Sequence, residues 1–139
     1  MKFDLERFVA AQNAVYAQAC RELRQGLKQG HWMWFIFPQL KGLGQSFMAE
    51  KYGISSTEEA RAYLAHPILG PRLAECTSLV NSVEGVSIDE IFGFPDTMKF
   101  RSSMTLFAHV SSGSNAFADA LQKYYAGKPD PLTLELLSG

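Results

Sequence analysis

Two short stretches carry most of the residues able to do chemistry. In HWMWFIFPQLKGLG, residues 31–44, His31, Trp32, Trp34, Phe35, Phe37 and Gln39 fall close together and Lys41 follows. An indole or phenyl ring can stack a flat ligand, while His31 and Gln39 can hydrogen-bond one. Lys41 and the glycine amides of KGLG can present donors beside that aromatic wall. In the second stretch Asp96, Lys99, Arg101, Ser102 and Ser103 crowd the start of a helical segment. A helix start has unpaired N–H groups and partial positive charge, so Lys99, Arg101 and Ser102 are placed to hold an anion there. Joined, the two stretches predict a pocket for a phosphate-bearing or nucleotide-like small molecule. In it Trp32, Trp34 or Phe35 faces the flat part, and His31, Gln39, Lys99 and Ser102 converge although about 60 residues separate the segments.

Each feature also has a plainer reading. The aromatic run is apolar on both faces as a strand and all round as a helix, so it reads as central packing. On that reading Trp34→Ala costs about 3–5 kcal/mol. KGLG lacks the spacing of a phosphate-binding loop and reads as a turn. Asp96 can simply cap its helix, with the serines bonded to backbone and the cations in solvent. The alternative function is then a non-catalytic interaction module whose aromatics are only core.

Nucleophilic catalysis needs a serine or cysteine beside a base, an adjacency that sequence does not supply. His66 and His109 sit late in helices, where histidine is ordinary, which leaves His31 as the histidine of interest. Cys20 and Cys76 are the only cysteines, belong to no ligand pattern and fall on apolar helical faces, so they read as core thiols. The acidic pairs Glu58–Glu59 and Asp89–Glu90 open helices and read as solvated. No metal site and no cofactor are expected.

The elements that must position these residues are helical. Apolar residues make up 47% of the 139 residues, enough to build one core, and one domain over 1–139 is expected. The net charge of −1 supplies no long-range field toward nucleic acid or an anionic membrane. No segment approaches a membrane span, and MKFDLERFVAAQ interrupts any signal-like apolar run, so a cytoplasmic protein is expected. Nothing in the sequence sets the oligomeric state.

Helical periodicity recurs throughout and strand-like alternation is nearly absent, so the fold is expected to be all-α, a single compact orthogonal bundle of roughly seven to nine short helices. Asp4 is placed to cap the first, with Phe3 and Phe8 as a staple. That pattern runs to Gly30, with Asn13 a possible division. Ser56 and Glu59 form a capping-box signature for a helix that Pro67 stops, and Gly70–Pro71 begin the next. A further helix starts near residue 96, Ser114 caps another that Gly127 ends, and Asp130–Pro131 open the last.

The runs LERFVAAQ, HWMWFIFPQLKGLG, YLAHPILGPRL, IFGFPDTMKFRSSMTLF and GKPDPLTLELL together resemble one bacterial family almost end to end. It is the uncharacterised domain of unknown function numbered eighteen-ten, often given the automatic label "calpastatin". The resemblance implies a compact helical domain with no assigned activity. Calpastatin itself is long, disordered and repetitive, whereas this chain is short, apolar and without repeats, so the label does not describe it.

Overall fold

Five polar side chains begin five helices by accepting a backbone N–H three residues further on: Ser46 from Ala49, Ser56 from Glu59, Ser87 from Glu90, Asn115 from Ala118 and Asp130 from Thr133. Those bonds fix where the chain turns into α4 Phe47–Tyr52, α5 Thr57–Ala65, α7 Ile88–Phe92, α9 Ala116–Tyr125 and α10 Pro131–Ser138. The others are α1 Glu6–Asn13, α2 Tyr16–Gln25, α3 Met33–Ile36, α6 Leu69–Ser82 and α8 Asp96–His109. This computed structural model describes residues 3–138. Among them there is no strand, only an isolated parallel bridge between Leu40 and Ile54.

The fold is all-α, as the periodicity predicts, with ten helices among the described residues rather than seven to nine. The excess lies in α3, α4 and α7, each too short for an apolar period to repeat. Asn13 does end α1, but Asp4 caps nothing: Leu5 stands at the cap position, and the Asp4 carbonyl accepts from Arg7. The left-handed cap of α2 is Gly26, at φ 75°, rather than Gly30, which leaves Leu27 exposed. Asn115, not Ser114, caps α9, and Pro95, not Asp96, stands before α8. The reciprocal capping box belongs to Ser87 and Glu90, whereas Glu59 turns its carboxylate to the Ser55 N–H.

α8 is the central strut. Phe100, Met104, Leu106 and Phe107 are fully buried on it, and Ser102, Ser103 and Thr105 are buried as well. Rings connect it outward. Phe100 meets Phe37 nearly edge-on at 5.0 Å between centroids, and Phe107 meets Tyr63 at 5.4 Å and Phe117 at 5.8 Å. Phe37 thus joins the 31–44 stretch to the start of α8.

The chain after Phe37 leaves the core as a loop that two backbone bonds fasten beside the bridge, Lys41 N–H to Ile54 O at 2.8 Å and Ile54 N–H to Gln39 O at 2.9 Å. Gly44 must be glycine for space, because a Cβ there would lie 2.9 Å from that of Ala49. Gly42, at φ 103°, must be glycine for conformation. The loop so folded carries Gln39 toward the N-terminal half of α8.

Candidate functional site

Trp32 and Trp34, two residues apart, have different surroundings. Trp32 is 1% exposed and donates its Nε1–H to Glu22 at 3.0 Å. The same Glu22 Oε1 accepts the backbone N–H groups of Gln29 and Gly30, and Oε2 accepts from Gln18. Burial pushes the Glu22 carboxyl up, but the bonds from Gly30, Gln29, Gln18 and Trp32 outweigh it and hold the group at about 2. Lys28 lies over the Trp32 ring at 5.2 Å and pairs with Asp96 at 2.8 Å. Trp32 is therefore sealed.

Trp34 is half-buried and lines a cleft of about 270 Å³. Lys99 lies over its ring, with Nζ 4.7 Å from the centroid and 3.8 Å from Asp96. Asp96 thus stands between two lysines, each resting on one of the tryptophans. Gln39, Lys99 and Ser102 line the same cleft. No protein group bonds the Gln39 side-chain amide among the described residues, and Ser102 donates its hydroxyl to Met98 O at 3.0 Å. Leu43, Pro95, Met98 and Leu132 supply apolar wall. A narrow void of about 10 Å³ adjoins the cleft behind Trp34, Gln39 and Lys99, walled by Met33, Phe37 and Tyr52.

The matching family is described as "Protein of unknown function (DUF1810)", and its model covers residues 2–137. The chain belongs to this family. No curated protein matches it. Among solved structures the chain is similar to the conserved hypothetical protein Rv1873 from Mycobacterium tuberculosis. The two are 58% identical over 100% of this chain and 99% of that one, with a TM-score of 0.98. The DUF1810 fold is thus shared along the whole length, and the family carries no assigned activity.

Of the residues singled out in this DUF1810 sequence, Trp34, Gln39, Lys99 and Ser102 share the cleft, and His31, Trp32, Lys41 and Arg101 stand outside it. His31 is exposed. The Lys41 ammonium is half exposed, 4.0 Å from Glu50. Arg101 turns away from the cleft: its guanidinium donates to Lys128 O and Pro129 O, both at 3.0 Å, and rests 5.7 Å over Tyr125. The other histidines are structural or solvated. His66 Nδ1 accepts the N–H groups of Ile68 and Leu69 beyond α5, and His109 is exposed.

Asp130 is the lining residue that sequence reasoning missed as a site residue. Its Oδ2 caps α10, accepting from Thr133 N at 2.9 Å and Thr133 Oγ1 at 2.7 Å. Its own N–H donates to Thr105 on α8 at 2.8 Å. Arg101 holds the two preceding carbonyls, so α8 fastens the backbone on which the carboxylate sits. No protein group among the described residues bonds Asp130 Oδ1, and Asp130 lines the cleft. A capping signature gives no sign of where the second oxygen points.

The cysteines are free and buried, on the packed pair α2 and α6. Burial, then the neighbouring Cys20, pushes the Cys76 thiol up and keeps it protonated. Among the described residues no group of three His, Cys, Asp or Glu side chains is arranged to hold a metal ion, and no helix is long and apolar enough to cross a membrane.

Proposed function

We propose that the cleft binds a small, anionic, nucleotide-like molecule, with its anion at Lys99 and its flat part along the wall of Trp34, Met98 and Leu132. The observation that carries this reading is the convergence of Trp34, Gln39, Lys99 and Ser102 on one concavity, with the Gln39 amide still free to bond. Lys99 suits the anion because the Trp34 ring and Asp96 already orient its ammonium. Ser102 gives its proton to backbone rather than to a base, so the reading is binding rather than acyl or phosphoryl transfer. Two free buried thiols fit the reducing cytoplasm expected from the sequence.

Thermal unfolding with AMP or inorganic phosphate added tests it. The wild type should melt higher as ligand rises, because a ligand that binds only the folded state stabilises it. Lys99→Ala should lose that response while its unliganded stability changes by no more than about 0.5 kcal/mol. A wild-type melting temperature that ignores both additives ends the proposal.

One observation favours a partner protein instead. Phe47 and Phe94 are 75% and 80% exposed and adjoin the lining residues Ser46 and Pro95, while Met98 and Leu132 in the lining are also exposed. An apolar rim of this kind suits a protein surface as well as a ligand. Capture of a partner by the wild type and its loss in Phe47→Ser with Phe94→Ser, with ligand response unchanged, would establish that reading.

A further inference from the structure

We infer that Asp130 is the specificity residue of the cleft and that the ligand's flat ring bears an amino group which donates to it. This rests on the nucleotide-like reading above and names the kind of base. Asp130 is only 9% exposed. Its Oδ2 accepts the N–H and hydroxyl of Thr133, and the Arg101 and Thr105 bonds fasten the backbone that carries it. The remaining oxygen is an acceptor without a protein partner, on a side chain that lines the cleft. A ring that presents an N–H there satisfies it, whereas one that presents C–H or a carbonyl leaves a desolvated carboxylate oxygen without a partner. Lys99 takes the ligand's negative group, so the cleft reads one donor and one anion at separate points. Among monophosphates this selects an adenine-type base over one lacking the amine.

The test compares AMP with purine riboside 5′-monophosphate, which has hydrogen where AMP has its amino group, by isothermal titration of the full chain. The wild type should prefer AMP by about tenfold or more in Kd, the effect of losing a hydrogen bond to a charged group. In Asp130→Asn the amide oxygen takes over the Thr133 donors and its nitrogen meets the amine as a second donor, so the AMP preference should vanish or reverse. Asparagine caps helices as well as aspartate does, so α10 is retained. Equal binding of the two ligands by the wild type overturns the inference while leaving the phosphate-binding proposal intact, and needs no variant. An AMP preference that survives Asp130→Asn overturns it too. If the wild type binds neither ligand, both readings fall.

Discussion

The surroundings of Trp32 and those of Trp34 are built from the same parts. Each indole has a lysine over its ring, and both lysines reach the one carboxylate of Asp96. Around Trp32 the hydrogen bonds close on themselves: Glu22 accepts from four donors, and the indole N–H is one of them. Around Trp34 they stay open, at the Gln39 amide and Asp130 Oδ1. A saturated polar network holds structure together, and an unsaturated one at a cleft is available to a ligand.

The contrast breaks most easily at the rings themselves. Trp32→Ala should destabilise by about 3–5 kcal/mol in urea unfolding, since it empties a buried ring site and strands Glu22. Equal costs at the two tryptophans would erase the distinction. The core-sized loss that the aromatic run suggests for Trp34 belongs instead to its neighbour.

Acid sharpens the comparison. Glu22 is held at about 2 against an ordinary 4.5. Because the folded value is the lower one, its contribution is complete above pH 4.5 and is lost as pH falls through about 2; it amounts to about 3 kcal/mol. Urea unfolding from about pH 6 downward should show that loss in the wild type and a flatter profile in Glu22→Gln. Parallel profiles would remove Glu22 from its place as the keystone of the sealed side.

Trp34→Ala should cost about 1 kcal/mol, because the ring is half-buried and its loss opens the cleft rather than creating a closed hole. The smallest effect belongs to Ser103, whose buried Oγ has no partner beside the cleft-lining Ser102. Ser103→Ala should change stability by less than about 0.5 kcal/mol or raise it slightly, since no bond is lost and a desolvated hydroxyl is removed. A loss above 1 kcal/mol would place a hidden partner there.

The sequence makes the helical class legible because periods of 3.6 residues survive in α5, α6, α8 and α9, and because Ser56 and Asp130 bond as their types suggest. It makes α3, α4 and α7 illegible because four to six residues hold barely one period. Gly26 and Gly30 are equally good stop signals in the sequence, and the structure uses the first as the left-handed cap. Within the site, Lys99 and Ser102 share a helical face at a spacing of three, which sequence shows. Arg101 lies between them on another face, and its turn toward residues 128–129 depends on a contact nearly thirty positions away. Trp32 and Trp34 carry the same side chain on a short stretch of either period, so their separate fates are set wholly by tertiary partners.

The narrow void beside Trp34 gives the cleft one hard wall. About 10 Å³ is at the lower limit for a single water molecule, so the indole has no room to retreat toward Met33 and Tyr52. The loop from Leu43 to Ser46 is fastened by the Leu40–Ile54 bridge and at the start of α4, and Leu43 packs against the core. A ligand too thick for the cleft therefore finds no extra depth on the Trp34 side.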